Sequence, residues 1–132
     1  EARALMARTL RFAWLGPLRR RAALRLLQGS GAAINSSRSE GGANAVGEAI
    51  VAGVPPLVSA IPGSLGLLGA DWPATFPPGD ARALCDLILR VERDGAFRDD
   101  LVARLRALAP RFARAVEVAA WQRLLAELPP VA

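Results

Sequence analysis

The chain has 132 residues and a net charge of +5, with seventeen Lys or Arg residues against twelve Asp or Glu. That length suits one domain around a single core, and a hydrophobic fraction of 52% is ample to fill it. One cysteine excludes an intrachain disulfide, and with no histidine the usual zinc ligand sets are absent.

Every basic residue is an arginine, and apart from Arg19-Arg20-Arg21 they are scattered over predicted helices. A basic stripe with interleaved aromatics is missing, so no nucleic-acid partner is expected. No apolar run reaches the ~20 residues of a membrane span, and no signal-peptide pattern opens the chain. Cys85 falls on an apolar helical face with Leu84, Leu87 and Ile88, where packing is its expected role.

In chain order, residues 1–9 read as the end of a helix. Leu10–Leu15 alternates enough for a strand, closed by Gly16-Pro17. A helix is predicted over Leu18–Gln28, with Gly29 as its stop. Gly31–Asn35 is a second short strand. It runs into the glycine turn Gly41-Gly42, after which Ala45, Val46, Ala49, Ile50 and Ala52 follow helical spacing up to Gly53. Pro56–Ala60 reads as a buried strand. Ile61–Gly69 reads as a glycine-punctuated loop with apolar residues between the glycines, and Trp72–Phe76 as a short edge strand tolerating proline. Asp80 is placed to cap a helix. The remainder reads as three helices: Asp80–Arg93, Phe97–Ala109 and Phe112–Leu128. Trp121 on the last is a core or domain-contact candidate.

Strands separated by helices argue for β-α-β units and a parallel sheet, an α/β Rossmann-like fold. Ligands of such folds gather beyond the carboxyl ends of the strands. That rule selects Leu15–Leu18, Ser36–Asn44 and Ile61–Gly66 together. A strand entering a glycine turn that opens a helix also offers free N–H groups and a positive dipole end, suited to a phosphate or diphosphate. Glu40 and Glu48 flank this turn with seven residues between them. An ionised carboxylate accepts from two vicinal hydroxyls, so either glutamate suits a sugar edge.

The pattern E-x7-E on a strand–turn–helix, followed by E-A-x3-G-x-P at Glu48–Pro55, resembles the nucleotide-sugar site of family-4-like GT-B glycosyltransferases. The longer pattern is similar to the selenosugar synthases of selenoneine biosynthesis. It comprises S-S-R-x-E-G-G-A-N-x-V-x-E-A from Ser36, I-P-G-S-x-G-L-L-G-x-D-x-P from Ile61 and F-P-x-G-D from Phe76. The likeness extends from about Phe12 to Leu128.

The resemblance implies a cytoplasmic enzyme that transfers a sugar from a UDP-sugar donor to a small-molecule acceptor, a selenium nucleophile such as selenophosphate, with no cofactor or metal. It implies that Glu40 lies by the donor sugar as the catalytic carboxylate, that Gly41, Gly42, Ala43 and Asn44 hold the diphosphate, and that Glu48 binds the ribose. Gly16, Pro17 and Leu18 would border the base, an ordinary β-α turn being the other reading of those three. Pro62, Gly63 and Ser64 would line the site because they follow a strand, and Arg38 is the nearest arginine to the diphosphate. Residues 1–132 would then be the C-terminal nucleotide-sugar-binding domain, lacking the N-terminal domain that supplies the acceptor side. A GT-B transferase with a hydroxyl acceptor, a sugar-nucleotide epimerase and a non-catalytic binding module are the alternatives.

Overall fold

The computed structural model describes residues 2–9 and 11–128. Among them, seven α-helices flank a three-stranded parallel sheet in the order β1-β2-β3. Helices α1 (Ala2–Met6) and α2 (Arg20–Gln28) precede β1 (Ala33–Asn35). Then α3 (Asn44–Ala52) leads to β2 (Pro56–Ser59), and α4 (Pro62–Leu68) to β3 (Thr75–Phe76). The chain closes with α5 (Ala81–Arg93), α6 (Gly95–Leu108), a 3-10 turn (Ala109–Phe112) and α7 (Arg114–Glu127). The α/β class and parallel sheet expected from the sequence are therefore present.

The central strand explains the core. All four residues of β2 are buried, as a strand covered on both faces requires. Pro56 opens it, the one position where a missing N–H costs the ladder least. Leu57 and Val58 meet Val46 and Ile50 of α3 and Trp72 and Phe76, and α5 and α6 add Leu87, Val91, Phe97, Leu101 and Leu105. Each fully buried side chain of this size contributes about 1.5–3 kcal/mol. Trp72 spends its one polar group well, since Nε1 donates to the Pro56 carbonyl at 2.9 Å.

Capping fixes the helices that clamp this core. Asp80 accepts from the Ala83 N–H at 2.9 Å, the cap expected from its position, and Asp94 accepts from Phe97 N–H at 2.9 Å. Asp94 thus ends α5 and begins α6. Gly53 terminates α3 with a left-handed φ of 71°, a conformation that glycine adopts without a Cβ penalty.

Four expectations are corrected. Residues 11–15 form no strand; Phe12, Trp14 and Leu15 are exposed, and β1 is paired with β2 alone among the described residues. Alternation only makes a strand where a ladder partner is present. Ile61–Gly69 is not a loop, because Pro62–Leu68 is helical. Pro62 stands at the first turn, where its fixed φ suits a helix and its absent N–H is not missed, and Ser64 and Leu68 are buried one turn apart. The edge strand shrinks from Trp72–Phe76 to Thr75–Phe76. Cys85 is exposed rather than packed.

The helix α7 stands apart. None of its residues is buried, and Trp121 is 57% exposed. No helix among the described residues is long and apolar enough to cross a membrane.

Candidate functional site

The parallel register, Asn35 beside Val58 and Ser59 beside Phe76, brings the carboxyl ends of all three strands to one edge of the sheet. The segment 36–43, the first turn of α4 and the turn 77–80 all leave from that edge.

Glu40 is built into it by short-range chemistry. Its Oε1 accepts from Ser37 Oγ at 2.8 Å and its Oε2 from Asn35 Nδ2 at 3.1 Å. Asn35 Oδ1 in turn accepts from the Ser37 N–H at 3.0 Å, an Asx-type turn. Ser59 at the end of β2 donates its hydroxyl to the Ser37 carbonyl. The carboxylate is therefore oriented by the ends of two strands. It remains exposed, and with two of about four acceptor directions engaged it can still receive hydroxyl donors.

The backbone at Glu40 rests on α4. A Cβ placed on Gly63 would collide with the Glu40 carbonyl oxygen and lie 3.0 Å from its carbonyl carbon and 3.4 Å from that of Gly41. Gly63 and Ser64 are buried, Pro62 is exposed, and the Ser64 hydroxyl has no partner among the described residues. At Gly41 and Gly42, by contrast, an added Cβ meets nothing within 4 Å. Neither has a positive φ, so open space rather than backbone conformation distinguishes them.

Beyond this turn α3 begins at Asn44 with Ala43 as its N-cap and no side-chain cap. Its first N–H groups keep the donor capacity that a capping side chain would otherwise absorb. Gly42, Ala43, Asn44 and Glu48 line one groove of about 850 Å³. Arg20, Leu24 and Gln28 of α2 form the facing wall, joined by Phe112 and Glu117. Glu48 is half-buried there, and its Oε1 accepts from Arg20 Nη2 at 3.2 Å.

The remaining candidates lie elsewhere. Arg38 reaches the turn after β3, its Nη2 lying 3.6 Å from where a Cβ on Gly79 would stand. It does not line the groove. Gly16 and Pro17 border a separate cavity of about 340 Å³ with Met6, Trp14 and Leu15. Leu18 is exposed and lies outside that lining. Among the described residues no three His, Cys, Asp or Glu side chains gather as a metal site.

Sequence reasoning missed the α2 wall and the Asn35–Ser37–Ser59 seat. Arg20, Leu24 and Gln28 repeat at four-residue spacing, a signal that the neighbouring arginines 19 and 21 obscured. No protein-family model matches the chain, and no curated protein matches it.

Proposed function

We propose that the chain is the donor-binding domain of a GT-B glycosyltransferase that uses a UDP-sugar. The observation that carries this reading is the grouping at the start of α3. An uncapped helix N-terminus opens beside two glycines that face open space, and Glu48 shares the groove one turn inside. Glu40 stands just before the turn, fixed by hydrogen bonds at both oxygens.

In this reading the diphosphate lies over Gly41–Asn44, where a Cβ-free approach and the positive helix end favour an anion. Glu48 accepts the ribose hydroxyls and Glu40 those of the transferred sugar. The hard event is departure of UDP from the anomeric carbon. The bond from that carbon to the diphosphate oxygen breaks, negative charge gathers on the leaving phosphate, and the acceptor's electron pair forms the new bond. Donors already aimed at the phosphate stabilise that charge as it develops.

The acceptor we favour is a selenium nucleophile of the selenophosphate kind, on the likeness of Ser36–Ala49, Ile61–Pro73 and Phe76–Asp80 to selenosugar synthases. Such an acceptor is already anionic and requires little help from a base. A second α/β domain would present it across the cleft, and the cytoplasm is the compartment this reading implies.

The test is mass spectrometry of the intact protein incubated with UDP-sugars and selenophosphate. A selenium-bearing sugar product and released UDP are expected. UDP-sugar turnover with a hydroxyl acceptor alone would retain the transferase and remove the selenium, while epimerised UDP-sugar without transfer would overturn both.

A further inference from the structure

The contact between α2 and α3 carries a role that neither glutamate explains alone. Arg20, Leu24 and Gln28 occupy one stripe of α2 and form the groove wall opposite α3. At that wall Arg20 Nη2 donates to Glu48 Oε1 at 3.2 Å, bridging residues 28 positions apart in the chain. The side chains are 80% and 37% exposed, and a pair so open to solvent adds little to folding. Its consequence is orientation. A glutamate side chain has several rotatable bonds, and ordering it only when a ligand arrives would weaken that ligand. Held through Oε1, the carboxylate keeps Oε2 without a partner among the described residues, along with the second lone pair of Oε1, which is enough for a vicinal diol.

We infer that Arg20 is a positioning residue that acts through Glu48, presenting its carboxylate at the groove to the ribose diol of a uridine nucleotide. The inference rests on the reading of Glu48 as the ribose ligand. Arg20 gives the site its preorganisation from α2, an element outside the glycine turn and its helix.

Calorimetric titration of UDP into the intact protein and four variants tests this. Arg20→Met keeps the apolar stem and removes the donor, so UDP affinity should fall about three- to tenfold with an unchanged melting temperature. Arg20→Lys, which restores a cation within reach of Glu48, should recover part of that loss. In a Glu48→Gln background, Arg20→Met should cost nothing further, since the residue it acts through is already disabled. Equal losses in both backgrounds would mean that Arg20 meets the nucleotide directly, and would overturn the inference. So would parental affinity in Arg20→Met while Glu48→Gln is impaired, an outcome that leaves the ribose reading standing. Parental affinity in Glu48→Gln would remove that reading, and this inference with it.

Discussion

The turn between β1 and α3 has two sides, and glycine does opposite work on each. Outside, Gly41 and Gly42 have no neighbour for a Cβ to strike, and their φ values do not demand glycine. Inside, Gly63 is pressed against the Glu40 and Gly41 backbone, with no room for one added carbon. The first pair leaves space for something that is not protein, whereas Gly63 lets two pieces of backbone touch. A glycine's meaning in a candidate site thus depends on what a side chain would meet there.

The largest effect should come from the inner side. Gly63→Val forces Glu40 off its seat or pushes α4 from the core, and overpacking of this kind costs about 1–3 kcal/mol. Thermal unfolding should show a melting temperature lower by several degrees, with turnover lost as well. A variant as stable as the parent would mean that the turn is free to move away, and that the inner side is not rigid.

Next come the glutamates, which should respond in ligand chemistry rather than in stability. Glu48→Gln removes a charged acceptor worth about 1.5–3 kcal/mol, so donor kcat/KM should fall roughly ten- to hundredfold and free UDP should bind poorly. Glu40→Gln should depress kcat while UDP still binds, if that carboxylate acts on the donor sugar as proposed. Its amide can keep both seat contacts only in one orientation, oxygen towards Asn35 Nδ2 and NH2 towards Ser37 Oγ, whose hydroxyl then accepts. Kinetics and UDP titrations of both variants check the split. Parental UDP affinity in both would detach the pair from nucleotide binding.

Gly42 should give the smallest change in folding. Gly42→Val projects into open space at an ordinary φ, so stability should stay within about 0.5 kcal/mol of the parent, while the donor KM rises or turnover disappears. A large drop in melting temperature would erase the contrast between the two sides. Unchanged kinetics would move the phosphate site elsewhere.

The outer side was legible in the sequence and the inner side was not. Glycines before a helical repeat of Val46, Ala49 and Ile50 announce a turn opening onto a buried helix face, and all three are buried. Asp80 announced its own cap. The α4 helix was hidden because glycine at 63 and 66 argues locally for a loop, while the reason for Gly63 lies 23 residues upstream at Glu40. The stretch 11–15 erred in the opposite sense, since alternation describes a strand's faces and says nothing about its partner. Arg20 looked like one of three surface arginines until α3 stood opposite.

The wholly exposed α7 has a consequence for how firmly different parts of the isolated chain hold their amide protons. Opening α6 uncovers Phe97, Leu101 and Leu105, so its exchange with deuterium should require nearly global unfolding. No residue of α7 is itself buried, and helices of this length are marginal in water without packing. Its amides should therefore label early in a hydrogen-exchange time course, and a trace of trypsin should cut first at Arg114 or Arg123. The helix that carries Trp121 would then be lost while the sheet, the glycine turn and the seat of Glu40 keep their shape.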